Sequence, residues 1–109
     1  MRFILAVLVV LVSSSVTMAQ SGTAIGPIKL VRTGWNCDCF AVVVDVPVVN
    51  PAGCHTADGY ISEQSFPGYR TYYAAALTAF TSRKNVSVVV HDTLCFADRP
   101  RIIGINVFD

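Results

Sequence analysis

The segment at residues 68–84, GYRTYYAAALTAFTSRK, is the one stretch beyond the apolar N-terminus that predicts a helix. Apolar side chains recur there at helical spacing and define a predicted core face. Valine- and isoleucine-rich segments flank it on both sides. Because a single helix among short strands fits few folds, its place in the element order decides the architecture. The side chains of the predicted core face are Tyr69, Tyr73, Ala76, Leu77 and Phe80.

Five segments predict strands, at residues 25–33, 40–46, 58–62, 86–91 and 102–108. The nearly continuous apolar run at 40–46 is typical of a strand whose two faces are both covered. Residues 92–101, which include Pro100, are predicted to form a loop. The residues expected to share one face of a strand are Ile28 with Leu30, Val86 with Val88 and Val90, and Ile103 with Ile105 and Val107.

The predicted order is therefore β-β-β-α-β-β, a mainly β fold with one helix in the α+β class. A helix between the third and fourth of five strands is the order of the OB-fold, a five-stranded Greek-key barrel. The aromatic face of the helix would close one end of such a barrel. An α+β sandwich is the structural alternative.

The first 19 residues predict a secretory signal peptide that is removed. An apolar run at residues 3–12 follows Arg2, and small residues precede an expected cleavage site after Ala19. The run is about ten residues long, roughly half of what a membrane span needs. We therefore expect a secreted or periplasmic protein with no membrane span. The remaining residues, 20–109, suffice for a single domain.

Charge and motif content narrow the class of function. The chain has eight basic residues, of which one lies in the leader, against seven acidic ones, so residues 20–109 are formally neutral. A neutral domain lacks the positive field that binding to a phosphate backbone requires, so nucleic acid is not an expected partner. His91 and Asp92 are adjacent in a predicted strand and should point to opposite faces, which separates them as an acid–base pair. We predict no enzyme activity and no cofactor.

All four cysteines lie after the leader, and an even count in a small exported domain predicts two disulfides. Cys54 lies before the third strand and Cys95 after the fourth, where a barrel of this order would bring them together. Cys37 and Cys39 remain, separated by one residue. They could bond to each other in the hairpin turn, bond to another chain, or form a thiol-redox element.

Zinc binding is the alternative use of the cysteines. Cys37, Cys39 and Cys95 would be ligands together with His55 or His91. The C-x-C spacing differs from the usual C-x2-C, and an oxidising compartment favours disulfides. We therefore predict no metal site.

Several segments of the chain resemble the binding (B) subunit of subtilase cytotoxin and its small exported relatives. They are residues 28–34 with the strand from residue 40, YRTYYAAALTAF, NVSVVVHDTLC and IIGINV. The resemblance implies an OB-fold and a Cys54–Cys95 bridge. In the toxin members it implies a ring of five subunits that binds sialylated glycans. The sugar-contacting serine of the toxin precedes the first strand, where this chain has Ala24, with Thr23 and Ser21 nearby.

The predicted function is therefore binding, without catalysis. The expected ligand is a glycan, and the candidate ligand-binding residues are Ser21, Thr23, Trp35 and Tyr72. Trp35 and Tyr72 are included because exposed aromatic rings stack on sugars or anchor partners. Packing is the other use of these aromatics, with Trp35 covering the turn of Cys37 and Cys39. The alternative function is a structural or protein-interaction role. The chain would then bind another protein of the envelope or the secreted fraction, form homo-oligomers and have no toxin partner.

Overall fold

The computed structural model describes residues 22–34 and 36–109. Its elements follow the predicted order, so the prediction of a mainly β fold with one helix is confirmed. The signal peptide predicted at residues 1–19 lies outside the described residues. The elements are β1 (Thr23–Thr33), β2 (Cys39–Val44), β3 (Tyr60–Glu63), α1 (Tyr69–Ser82), β4 (Asn85–Phe96) and β5 (Arg99–Phe108).

The five strands close a barrel in the order β1-β2-β3-β5-β4. Closure depends on the length of β1. Its second half, from Ile28 to Thr33, pairs with β2, and its first half, from Thr23 to Pro27, pairs with β4. These pairs are antiparallel, whereas β3 pairs with β5 in parallel. A closed barrel leaves no free strand edge among these elements.

The barrel interior is filled by alternate side chains from each strand. Val86, Val88 and Val90 are completely buried, which confirms the face predicted for this segment. Tyr60 is also buried, and its hydroxyl oxygen accepts a hydrogen bond from the backbone N–H of Val49 at 2.8 Å. Burial raises the pKa of the Tyr60 hydroxyl. This bond fixes the long loop between β2 and β3 to the core.

Helix α1 packs on the barrel through alanines and tyrosines. Ala76 and Ala79 are buried, and the rings of Tyr69 and Tyr73 lie 5.6 and 5.1 Å from the ring of Phe40. The small alanine side chains let the helix approach the strands closely.

The prediction that Phe80 belongs to this face is wrong, since Phe80 is 43% exposed. The helix contacts the barrel along a line that passes through Ala76 and Ala79, its buried residues. Residue 80 follows Ala79 by about 100° around the helix axis, which turns its ring toward solvent.

The prediction that Leu30 shares a face with Ile28 is also wrong. The pairing of β1 with β2 shifts register between these two residues, so Lys29 is an extra residue in the strand. Such a β-bulge reverses the alternation that follows it. Leu30 is 41% exposed, and Val31 packs against the core instead.

A second register shift changes the inward face of β5. Val89 pairs with Gly104 but Val90 pairs with Ile102, which leaves Ile103 as the extra residue. Ile102 is buried and Ile103 is 39% exposed. The prediction that Ile103 shares a face with Ile105 is therefore wrong, since Ile105 packs against the core.

Residues 92–101 form a β-hairpin where the sequence predicts a loop. Strand β4 continues to Phe96, β5 starts at Arg99, and only Ala97 and Asp98 connect them. Both have positive φ, 49° and 60°. Positive φ at both central residues matches a type I′ turn, whose usual sequences are Asn-Gly and Asp-Gly. Ala-Asp lacks that signature, which is why the sequence does not reveal the turn.

Candidate functional site

A pocket of about 100 Å³ lies on the outer face of β2 and β3, between the β1–β2 turn and the β4–β5 turn. We call it the turn pocket. It joins parts of the chain that are more than 60 residues apart, and only the barrel brings them together. Its principal lining residues are Arg32, Cys37, Cys39, Ala41, Ile61 and Arg99.

The floor of the turn pocket is apolar. Cys39, Ala41 and Ile61 form a buried cluster on the outer face of their strands, opposite the barrel core. The ring of Phe96 packs against this cluster and meets Phe66 edge to face at 5.2 Å. Strand β2 is thus covered on both faces, as the apolar run at 40–46 predicts.

The rim of the pocket is positively charged. Arg99 donates from Nε and Nη2 to the two carboxylate oxygens of Asp58, at 2.6 and 3.2 Å. Arg32 Nη1 lies 3.5 Å from the same carboxylate. Hydrogen bonding from Arg99 and the charges of both guanidiniums hold the pKa of Asp58 below its usual value of 3.8. Two guanidiniums sharing one carboxylate leave this group with a formal charge of +1.

Arg99 is held in a fixed orientation. Besides the bidentate contact with Asp58, its Nη1 donates to the carbonyl oxygen of Ala97 at 3.0 Å. Bidentate geometry restricts a planar guanidinium more than a single contact does. The rim therefore presents preorganised N–H donors to any group that enters the pocket.

One wall of the pocket is the Cys37–Cys39 disulfide. The second disulfide, Cys54–Cys95, has an S–S distance of 2.05 Å and joins the β2–β3 loop to β4. The structure thus has the pairing that the barrel order and the resemblance both predict for Cys54 and Cys95. It pairs Cys37 with Cys39 within the chain, the hairpin-turn alternative.

His91 and Asp92 lie closer together than the sequence predicts. Their Nδ1 and Oδ1 atoms are 3.2 Å apart. The pairing of β4 with β5 is irregular between Val90 and Cys95, so the two side chains do not alternate across the sheet. His91 Nδ1 accepts hydrogen bonds from the backbone N–H groups of Thr93 and Leu94, at 3.1 and 3.0 Å. These contacts fix the local backbone outside the turn pocket.

Of the four predicted ligand-binding residues, the structure describes Thr23 and Tyr72, and neither of these two lines the turn pocket. Thr23 is exposed at the start of β1, opposite Val89 of β4. Tyr72 is partly buried, and its hydroxyl donates to the carbonyl oxygen of Ile103 at 2.7 Å. Ser21 and Trp35 lie outside the described residues, although Trp35 directly follows Gly34, which lines the pocket. Binding by these four residues stays a prediction.

No sequence motif identifies the charged residues of the site. Arg32, Asp58 and Arg99 lie in different elements, and no spacing links them. Asp58 suggests at most a surface carboxylate when the sequence is considered alone. Only the parallel pairing of β3 with β5 and the unexpected β4–β5 hairpin place Arg99 beside Asp58.

No protein-family model, curated protein or solved structure matches this chain. Across the part of the chain that the structure describes, no helix is long and apolar enough to cross a membrane. The same residues contain no cluster of three or more side chains of the metal-ligating types.

Proposed function

We propose that this chain is an exported binding protein with an OB-fold, and that it holds a glycan at the turn pocket without catalysing a reaction of that glycan. The OB-fold assignment is supported by the barrel order, the parallel β3–β5 pair and the helix between β3 and β4. Export is supported by the leader at residues 1–19 and by two cysteine pairs at disulfide distance.

The observation that carries the proposal is the position of the pocket. OB-folds bind oligosaccharides and oligonucleotides on the face of strands 2 and 3, between the loop joining strands 1 and 2 and the loop joining strands 4 and 5. The turn pocket occupies the corresponding place. The formal neutrality of residues 20–109 argues against the oligonucleotide, which leaves the oligosaccharide.

The chemistry of the pocket fits a sugar substituent. Ala41 and Ile61 provide an apolar floor, and the guanidiniums of Arg32 and Arg99 provide donors for hydroxyl or carboxylate oxygens. A volume of about 100 Å³ takes one group, such as an acetamido or hydroxymethyl group. The remainder of the glycan would lie over the rim.

A glycan array followed by calorimetry on the bound glycans tests the proposal. Arg32→Gln should weaken binding by about 10- to 150-fold, because a charge-assisted hydrogen bond contributes about 1.5–3 kcal/mol. Lys29→Gln is the matched control, since it makes the same charge change on the same strand, and Lys29 does not line the pocket.

Equal loss in both variants, or an array without a single bound glycan, contradicts the proposal. Trp35→Ala tests the predicted aromatic contact separately. Light scattering of the secreted protein distinguishes a ring of five subunits, which the resemblance would imply, from a monomer.

A further inference from the structure

The Cys37–Cys39 disulfide closes a turn that other bonds already hold. Gly34 N–H donates to the carbonyl of Cys39 at 3.0 Å, and Gln64 N–H donates to the carbonyl of Asp38 at 2.9 Å. The Tyr69 hydroxyl donates to Asp38 Oδ1 at 3.0 Å. These contacts join the turn to β2, to the segment after β3 and to α1. Hydrogen bonds therefore hold the turn in addition to the bridge.

The bridge also constrains little of the unfolded chain. Its cysteines are separated by 2 positions, against 41 for Cys54 and Cys95. The stabilisation that a disulfide gives by restricting the unfolded state grows with the length of the loop it closes. A short bridge in an already anchored turn is therefore poorly explained as a device for stability.

The surroundings of the two sulfurs suit a reversible reaction. Cys39 is buried at 5% exposure, whereas Cys37 is only partly buried, so an incoming group reaches Cys37 first. Both Sγ atoms lie near the carbonyl oxygen of Gly34, at 3.4 Å for Cys37 and 3.1 Å for Cys39. That oxygen can accept an S–H bond from either cysteine in the reduced state.

The turn pocket adds a charge effect and a place for the substrate. Arg32 and Arg99 line the same cavity as both cysteines, and a nearby guanidinium favours the thiolate form that exchange chemistry uses. The apolar floor of Ala41 and Ile61 offers space for one small apolar group beside the disulfide.

From these observations we propose that Cys37–Cys39 is a thiol–disulfide exchange site for exported peptide or protein thiols. This function goes beyond glycan binding and does not depend on it. The substrate class is an accessible dithiol with a small apolar side chain next to a cysteine, which the pocket floor accommodates.

The reaction balances without a further cofactor. A substrate thiolate attacks Cys37 Sγ, forms a mixed disulfide and breaks the Cys37–Cys39 bond, and the electron pair leaves on Cys39 Sγ. The second thiolate of the substrate attacks the substrate sulfur of the mixed disulfide and releases Cys37 as a thiolate. The substrate is oxidised by two electrons, and both cysteines take up the protons that it released. A low-molecular-weight disulfide then restores the bridge by the reverse exchange.

The first test uses the native chain and reduced glutathione as the thiol. Exchange is stopped by acid, free thiols are alkylated, and the chain is cut before aspartates, which places each of the four cysteines in a separate peptide. We expect glutathione on Cys37 and opening of Cys37–Cys39 at least tenfold faster than opening of Cys54–Cys95, the internal control. Equal opening rates, or no opening before denaturant is added, would overturn the proposal.

The second test measures turnover. A synthetic peptide with two cysteines is oxidised in the presence of glutathione disulfide, with or without the protein. The native chain should accelerate peptide oxidation, and C37A/C39A should not. Identical rates with the native chain and C37A/C39A would also overturn the proposal. Neither test contains a glycan, so a failure of exchange does not contradict the glycan proposal. A failure of glycan binding likewise does not contradict the exchange proposal.

Discussion

Removal of the two disulfides, one at a time, should reveal very different contributions to stability. The chain-entropy relation assigns a disulfide about 4 kcal/mol when its cysteines are separated by 41 positions, as Cys54 and Cys95 are. The same relation, which counts the residues of the closed loop, assigns about 1.6 kcal/mol to the loop of residues 37–39, whose cysteines are separated by 2 positions. We therefore expect C54A/C95A to lose more than twice the free energy of unfolding that C37A/C39A loses.

Urea denaturation without reductant, followed by circular dichroism, measures both losses. A small domain has about 5–15 kcal/mol of total stability, so both variants should have a lower urea midpoint than the native chain, and the decrease should be clearly larger for C54A/C95A than for C37A/C39A. C54A/C95A should also show a steeper dependence on urea, since its unfolded chain is less restricted and exposes more surface.

Equal losses in the two variants, or a larger loss in C37A/C39A, would refute this reasoning. Such a result would mean that the hydrogen bonds of Gly34, Asp38 and Tyr69 do not hold the turn without its bridge. The short disulfide would then be a structural element, and its availability for exchange would lose its main support.

Three further changes test the packing and the charges by the same measurement. Tyr60→Phe should cost about 1–2 kcal/mol, because the N–H of Val49 loses its acceptor; a cost near zero would mean that water replaces the hydroxyl. Phe80→Ser should change the free energy of unfolding by less than about 0.5 kcal/mol, since Phe80 is exposed. A loss of several kcal/mol would mean that Phe80 belongs to the core. Because the pKa of Asp58 is lowered in the folded state, its carboxylate adds stability above pH 3.8 that is lost as the pH falls through the folded-state pKa. Asp58→Asn should remove about 1 kcal/mol of this stability. If the free energy of unfolding depended on pH in the same way in the native chain and in Asp58→Asn, the pairing with Arg99 would be contradicted.

The order of elements could be predicted because it depends on local pattern. Alternation at Val86, Val88 and Val90 identifies a strand with one buried face, and the alanine- and tyrosine-rich segment identifies α1. Neither depends on distant residues. Alternation fails to predict which side chains are buried where a strand contains a single extra residue, as at Lys29 and Ile103. The position of such a bulge depends on the pairing with the neighbouring strand, which the local sequence does not contain.

The candidate site could not be predicted, since its parts come together only through topology. Arg32 is the last residue but one of β1, Asp58 precedes β3 and Arg99 starts β5, each without a local motif. The β4–β5 turn at Ala97 and Asp98 lacks the usual turn residues, which hides the position of Arg99. The cysteines could be foreseen as two bridges because their even number and the predicted export of the chain favour disulfides.

The two disulfides have different relations to the turn pocket. Cys54–Cys95 fixes the β2–β3 loop, which contains Asp58, and the N–H of Thr56 in that loop donates to the carbonyl of Asp98 in the β4–β5 turn at 2.8 Å. Asp58 in turn fixes the guanidinium of Arg99, so the long-range bridge acts on the charged rim through the loop. Cys37–Cys39 forms a wall of the same pocket and carries none of these contacts. We therefore expect the Asp58–Arg99 pair and the loop to stay in place when this bridge opens, so that one pocket combines a stable set of donors with a reactive bond.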